Sequence, residues 1–317
     1  MKTIYLVIAQ NLLNITYNIY KYIVLKLYIY NKYMITIGVI GNGFVGKATS
    51  IFKCKKIKLY NYDIVPKLCF PLGTTLKDIC DKCDIILISV PTPMNKDGSC
   101  YLKIVETVVG DISKHVDLDE KIVVLRSTVP PGTSDRLNCY FMPEFLTEKN
   151  FMNDFRNNPN WIFGLKGTKQ DIVFKEKIFK LINFSHVFEK IKYNKICLVK
   201  NKEAEMIKLF RNNFLATKVS FCNEMAEFCK IKEIDYENVR KYAVLDPRIG
   251  ESHSKVPGHD GKRGFGGTCL PKDTKSLSYE MNNSNMKSYI IDSVINRNSE
   301  VDRPEQDWNN KKGRSVV

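Results

Sequence analysis

A glycine-rich turn between a strand and a helix constrains the fold of this chain more than any other feature. Residues 34–40 are mostly apolar and predict a buried strand, and Gly41-Asn42-Gly43-Phe44-Val45-Gly46 then leads into a helical pattern that ends near Lys53. This G-x-G-x-x-G spacing allows a tight turn, a close approach of the backbone to a pyrophosphate, and close packing of helix on strand. We therefore predict a dinucleotide cradle formed by Gly41, Gly43, Phe44, Val45 and Gly46.

The next strand gives this fingerprint its expected context. Residues 58–62 predict a second strand, which ends at Asp63, 22 residues after Gly41. An acidic residue at this distance can accept a hydrogen bond from a ribose hydroxyl. No arginine follows Asp63 closely, so the sequence favours NAD over NADP as the cofactor.

Strand and helix signals alternate along the first two thirds of the chain. Further strands are predicted at 84–90, 121–126, 161–165 and 196–199, and helices at 101–115 and 168–182. Strands joined by helical crossovers indicate an α/β fold, a Rossmann-like doubly wound parallel sheet with helices on both faces. Ligands bind beyond the carboxyl ends of such strands, where the chain places Pro91, Thr92 and Thr128. We expect these three residues to contact the cofactor.

A long helical pattern at 201–230 separates this sheet from the rest of the chain. Its length is typical of a helix that joins domains or subunits, and further helices are predicted at 236–244, 272–281 and 285–301. We predict an N-terminal extension (1–33), an NAD-binding Rossmann domain (34–200), an α-helical central and dimerisation domain (201–301), and a short linker (302–317).

The apolar positions of the 201–230 helix cover more than the narrow stripe that a surface helix needs. One side should pack on its own domain and another on a partner, so we predict a homodimer through this helix. The apolar positions are Met206, Leu209, Phe210, Phe214, Val219, Phe221, Cys222 and Met225.

A second glycine-rich loop delivers a cysteine to the start of a predicted helix. It runs Gly264-Phe265-Gly266-Gly267-Thr268-Cys269-Leu270-Pro271-Lys272-Asp273. The unpaired N–H groups of a helix N-terminus and the neighbouring Lys272 favour the thiolate of Cys269, the form that attacks carbon. Asp273 shares its face of the helix, so a nucleophile and a proton acceptor converge. Covalent catalysis is the favoured interpretation, and a buried, unreactive thiol is the alternative.

Charge and cysteine content limit the partners that we expect. The net charge of +15 is dispersed without a nucleic-acid motif, so no nucleic-acid partner is expected, while steering of an anionic substrate remains open. Ten cysteines in no regular framework indicate reduced thiols and a cytoplasmic location. Cys80 and Cys83 form one C-x-x-C, but the four histidines are scattered at 115, 186, 253 and 259, so no metal site is expected.

The first 33 residues are unlike the rest of the chain. Residues 3–20 carry no charge but include one glutamine and three asparagines, which makes them too polar for a typical membrane span. They also lack the pattern of a secretory signal. We interpret the segment as an extension or as the product of an upstream start codon. A membrane anchor is the alternative, and membrane contact is not expected.

Several segments, taken together and in order, resemble one known family. Besides the fingerprint and the Cys269 loop, they are Val90 to Ser99, Ser127 to Thr133, Pro143 to Glu148, and Phe214 to Phe221 with Asn223-Glu224. This set resembles the nucleotide-sugar dehydrogenases, which act on UDP-glucose, GDP-mannose or UDP-N-acetylmannosamine, over about residues 34–317. The resemblance implies an NAD-dependent 6-dehydrogenase that oxidises UDP-glucose twice to UDP-glucuronate, with a role in polysaccharide biosynthesis. The other two nucleotide sugars remain alternatives.

The same resemblance assigns catalytic roles. Cys269 matches the nucleophile that captures the C6 aldehyde as a thiohemiacetal and then forms a thioester. Lys208 and Asn212, one helical turn apart, match the residues that hold the C6 oxygen and its developing negative charge. Asp273 resembles the carboxylate that assists proton removal through water.

The remaining assignments concern water and the substrate. Thr128 and Glu148 match the pair that positions and activates water for thioester hydrolysis, with Glu144 nearby. Arg248 resembles a substrate-binding arginine, and Gly266 is expected at the substrate as well. Taken singly, Lys208, Glu148 and Arg248 would each be interpreted as ordinary surface charges.

The sequence departs from the family pattern in two ways. Members of the family continue past the equivalent of Arg314 into a third, UDP-binding domain, whereas residues 302–317 are interpreted here as a truncated linker. Arg126 also replaces the lysine expected at that strand end. A naturally short enzyme, half of a split gene and a decaying copy are all open interpretations. A non-catalytic remnant that binds NAD and pairs through its long helix is therefore the alternative to an active dehydrogenase.

Overall fold

The computed structural model describes residues 33–317. The predicted extension, apart from Tyr33, lies outside the described residues. Seven strands form one sheet in the order β2-β1-β3-β4-β5-β6-β7. The strands are β1 (Ile35–Ile40), β2 (Ile57–Tyr62), β3 (Ile85–Ile88), β4 (Ile122–Leu125), β5 (Tyr140–Phe141), β6 (Trp161–Leu165) and β7 (Ile196–Lys200).

The sheet is Rossmann-like, but it is not parallel throughout. β1 to β5 run parallel to one another, and β6 runs parallel to β7. The predicted Rossmann-like parallel sheet is confirmed except at the β5–β6 pair, which is antiparallel, with Phe141 opposite Gly164. The connection between the two strands explains this. β6 begins at the same end of the sheet at which β5 ends, because the connecting segment does not cross to the opposite end as the connection between parallel strands must.

Ten α-helices surround the sheet or follow it within residues 33–317. They are α1 (Phe44–Thr49), α2 (Leu76–Lys82), α3 (Lys103–Ser113), α4 (Thr133–Arg136), α5 (Phe151–Arg156), α6 (Gln170–Val187), α7 (Asn201–Ile231), α8 (Tyr236–Ala243), α9 (Leu270–Asn283) and α10 (Tyr289–Arg297). The sequence does not predict α2, α4, α5 or the two-residue β5, because each is too short to show a hydrophobic period. The helix predicted at 285–301 is shorter than expected: α10 ends at Arg297, and a π-helical turn follows at Asn298–Asp302.

Two apolar layers, one on each face of the sheet, hold the first domain together. One layer contains an aromatic group in which the ring centroids of Phe52 and Phe155 lie 4.8 Å apart and those of Phe155 and Trp161 lie 5.0 Å apart. The other contains Ile79, Ile86, Val105 and Phe141. These buried side chains fix the sheet, and with it the positions of the loops at its carboxyl edge.

The helical region is built around α7, which begins at Asn201 directly after β7. α9 and α10 pack on it. The segment 302–317, predicted to be a linker, is itself packed. Its Trp308 is 1% exposed, and the Met94 N–H donates to the Ser315 carbonyl at 2.9 Å.

Candidate active site

The three fingerprint glycines differ in what surrounds them. Gly41 has φ +86°, which favours glycine, and a side chain there would come within 2.7 Å of the Ser89 carbonyl. A side chain at Gly46 would collide with the Gly41 carbonyl, so this glycine lets α1 approach β1. Gly43 instead faces open space, as a backbone that receives a pyrophosphate requires. Phe44 and Val45 form the first turn of α1 beside this space.

Asp63 lies against the same turn. Its Oδ2 accepts a hydrogen bond from the Asn42 N–H at 2.7 Å, and its Oδ1 accepts one from the Val65 N–H at 2.9 Å. These bonds fix the carboxylate at the end of β2, beside the fingerprint, where the ribose of a dinucleotide is expected. The residues present therefore fit an NAD site.

The ends of β3 and β4 form the next part of the cleft. The Ser127 hydroxyl donates to the Val90 carbonyl at 2.6 Å, which ties the two strand ends together. Pro91 is exposed, Thr92 is buried, and Thr128 is half-buried. The Cys100 thiol lies 3.8 Å from the Thr128 carbonyl oxygen. The three predicted cofactor contacts thus share one wall.

Cys269 is the N-cap residue of α9, as its glycine-rich loop predicts. Burial opposes the thiolate that the helix N-terminus was expected to favour. Burial raises the pKa of the Cys269 thiol, the charges of Glu144 and Asp273 act in the same direction, and those of Lys208 and Lys272 oppose them. Lys272 is also paired with Asp273, its Nζ lying 2.5 Å from Asp273 Oδ1. The bias toward thiolate stays a prediction.

Lys208 and Glu144 form a buried ion pair beside Cys269. The Lys208 Nζ lies 2.7 Å from Glu144 Oε1, and both side chains are almost completely buried. Among the charges that lower the pKa of Cys269, that of Lys208 acts most strongly. Arg126, also buried, contributes a second cation near Glu144: burial lowers its pKa to about 10, against the effect of Glu144. The positive charge of Arg126 at the end of β4 therefore attracts the Glu144 carboxylate.

A second buried pair joins α7 to α9. The Asn212 side-chain amide donates to Asp273 Oδ2 at 2.6 Å, and both residues are buried. Asp273 thus holds Asn212 on one oxygen and Lys272 on the other. An amide donor, a carboxylate and an ammonium group are thus grouped at the start of α9, where Cys269 is the N-cap residue.

Glu148 completes the group from the other side of the cleft. Its Oε2 lies 3.5 Å from the Thr268 hydroxyl, which in turn lies 3.7 Å from the Cys269 sulfur. Arg314 also pairs with Glu148, and its guanidinium lies over the Phe44 ring at 5.5 Å from the centroid. Sequence analysis missed both Thr268 and Arg314. Thr268 could have been found from its position before Cys269, whereas Arg314 lies 166 residues from Glu148 and gives no local signal.

Two predicted substrate-binding residues, Arg248 and Gly266, contact residues outside the group around Cys269. The Arg248 side chain is 88% exposed and pairs with Asp246, so the structure does not bring it to Cys269. A side chain at Gly266 would come within 2.5 Å of the Arg303 guanidinium, so this glycine allows Arg303 to approach. Their roles at the substrate stay predictions.

Cysteines outside this group are buried in the sheet domain or scattered. All ten are free thiols, and burial raises the pKa of Cys83 to about 12. Within residues 33–317, no three histidine, cysteine or acidic side chains are grouped so as to hold a metal ion. In the same range, no helix has the length and hydropathy that crossing a membrane requires.

Known proteins share the sequence and fold of much of this chain. Residues 66–183 match the NAD binding domain of the UDP-glucose/GDP-mannose dehydrogenase family, and residues 202–300 match its central domain. The chain belongs to the UDP-glucose/GDP-mannose dehydrogenase family.

Individual relatives agree with this assignment. UDP-glucose 6-dehydrogenase of Rickettsia prowazekii is 32% identical over 227 residues, which are 68% of this chain and 49% of that protein. UDP-glucose 6-dehydrogenase TuaD of Bacillus subtilis is 32% identical over 229 residues, 68% of this chain and 46% of that protein. A UDP-glucose dehydrogenase structure from Pyrobaculum islandicum superposes with a TM-score of 0.71 at 25% identity, covering 84% of this chain and 68% of that one. The chain spans about half the length of the curated relatives it matches.

Proposed function

We propose that this chain oxidises C6 of UDP-glucose twice, giving UDP-glucuronate through covalent intermediates on Cys269. One observation carries the proposal: Cys269, at the start of α9, lies within one group with the Lys208–Glu144 and Asn212–Asp273 pairs. NAD, when bound, supplies the acceptor for the hydride that each oxidation removes.

In the first oxidation a hydride leaves the C6 carbon for the bound cofactor, and the C6 hydroxyl gives its proton to Asp273 through water. Lys208 and Asn212 donate hydrogen bonds to the C6 oxygen and stabilise its developing negative charge. The product is an aldehyde, held beside the thiol.

The resting thiol of Cys269 then adds across the aldehyde. A bond forms between the sulfur and C6, the thiol proton ends on the C6 oxygen, and the resulting thiohemiacetal again carries a transferable hydride. The second hydride would leave C6 for the hydride acceptor that bound NAD supplies, the hydroxyl proton passes through water and Asp273 to solvent, and a thioester results. Water, positioned by Thr128 and deprotonated by Glu148, attacks the thioester, and Cys269 departs as thiolate and recovers a proton.

The stoichiometry of NADH tests this sequence. Because the aldehyde is held as an adduct of Cys269, we expect about two NADH for each UDP-glucose consumed and no free aldehyde. NADH absorbance and chromatography of the sugar nucleotide measure both quantities. Parallel reactions with GDP-mannose and UDP-N-acetylmannosamine test the alternative substrates. One NADH for each sugar, with aldehyde in solution, would contradict the proposal.

We also propose that the chain forms a homodimer through α7. Aromatic side chains along this helix are exposed, with Phe210, Phe214 and Phe221 at 63%, 61% and 60%. The rings of Phe210 and Phe214 stack on each other with 6.3 Å between centroids, in contact with solvent. A row of exposed aromatic residues on one helix is typical of an interface.

A further inference from the structure

Arg211 lies on α7, about one helical turn after Lys208. Its guanidinium carbon is 3.6 Å from the centroid of the Phe145 ring, and the Lys208 Nζ is 5.8 Å from the same centroid. Phe145 directly follows Glu144, the buried partner of Lys208. The Phe145 ring therefore links Arg211 to the charged group around Cys269.

Among residues 33–317, the exposed Arg211 side chain makes no ion pair and donates no hydrogen bond. Arg136 and Arg248, by contrast, each pair with a carboxylate. A guanidinium offers five N–H donors in a planar fork that matches a phosphate or carboxylate. The Phe145 ring contacts the guanidinium, and its N–H donors have no acceptor among residues 33–317.

The charges around Cys269 also indicate that Arg211 is available to an anionic ligand. The carboxylates around Cys269 already have cations, in the pairs Glu144–Lys208, Asp273–Lys272 and Glu148–Arg314. The Arg211 guanidinium is charged, as guanidinium groups in proteins are. Arg211 thus adds a positive charge that no carboxylate within the described residues pairs with. An anionic ligand would supply the missing partner.

We propose that Arg211 binds phosphate oxygens of the nucleotide-sugar substrate. The inference rests on the proposed function and adds a binding residue to the same site. Two parallel N–H···O bonds from the guanidinium hold the phosphate, and the sugar extends toward Lys208, one turn earlier on α7. Arg211 is a binding residue rather than a participant in the oxidation.

Calorimetric titration of the full chain with UDP and, separately, with NAD tests the inference without turnover. We expect Arg211→Ala to weaken UDP binding about tenfold or more, as the loss of charge-assisted hydrogen bonds implies, and to leave NAD binding unchanged. Arg211→Lys should recover part of the affinity, because it keeps the charge but not the planar fork. Lys230→Ala, on the same helix and about 28 Å away, is the matched control for loss of one exposed positive charge.

Kinetics give a second readout. If Arg211 binds the phosphate equally in ground and transition states, Arg211→Ala raises KM for UDP-glucose and leaves kcat nearly unchanged. UDP affinity that Arg211→Ala does not change would overturn the inference, as would an unaltered chain that does not bind UDP. Weaker NAD binding with normal UDP binding would assign the arginine to the cofactor's pyrophosphate and overturn it as well. Arg211-dependent UDP binding without NADH formation from UDP-glucose would instead contradict only the proposed function.

Discussion

At the scale of single residues, the reactivity of Cys269 depends on groups that lie far apart in the sequence. Its loop places it at a helix N-terminus, while burial, Glu144 and Asp273 raise the pKa of its thiol and Lys208 lowers it. The sequence could predict the position at the start of a helix. It could not predict the pKa shift, because burial and the charges of distant residues depend on the folded chain.

The role of Cys269 is tested by Cys269→Ser. We expect this variant to stall after the first oxidation and to bind NAD as before, because a hydroxyl is a far weaker nucleophile toward the aldehyde than a thiol. Single-turnover NADH formation and NAD titration measure the two effects. Cys197→Ser, at a half-buried thiol on β7, is the control and should turn over normally. Normal turnover by Cys269→Ser would remove the covalent step.

We expect a second single residue, Asp63, to determine the choice between NAD and NADP. Its charge should repel the 2′-phosphate of NADP, so we expect NAD to be preferred and Asp63→Ala to narrow the preference several-fold. Asp63→Asn separates charge from structure, because the amide oxygen can still accept the Asn42 N–H. The ratio of kcat/KM with NAD to kcat/KM with NADP measures this preference in each variant. Equal use of NAD and NADP by the unaltered chain would refute this assignment.

At the scale of elements, long periodic segments could be predicted from the sequence and short ones could not. The strand predicted at 161–165 is β6 with the same bounds, and the helix predicted at 201–230 differs from α7 by one residue. β5 has two residues and no period to detect, so its antiparallel pairing with β6 depends on tertiary contacts. The Asn212–Asp273 contact could be expected only once both helices had been placed by the fold.

Glu205 shows how α7 is anchored to the sheet domain. This buried carboxylate accepts hydrogen bonds from the Gly132 N–H at 2.5 Å and the Ser134 N–H at 2.7 Å, at the start of α4. We expect Glu205→Gln to lower the free energy of unfolding by about 1–3 kcal/mol, because an amide accepts through only one atom and leaves an N–H unpaired. Urea unfolding measures the change.

The matched control for Glu205 is Glu176→Gln. Glu176 pairs with Lys180 on the surface of α6, where such a pair contributes little. This variant should differ from the unaltered chain by less than about 0.5 kcal/mol. An equal, small effect of both substitutions would show that the contact between α7 and the 132–134 turn is not what holds the two regions together.

At the scale of the whole molecule, the exposed aromatic side chains of α7 predict the oligomeric state. We expect a dimer at micromolar concentration, because pairing of two copies about a two-fold axis covers the same apolar surface on each. Phe214→Asp should yield monomers, since a buried, unpaired charge at the centre of the interface is costly. Ile172→Asp, at a 73% exposed position on α6, is the control and should leave the dimer intact. Light scattering and sedimentation on the full chain decide the question: a stable, monodisperse monomer of the unaltered protein would exclude pairing through α7.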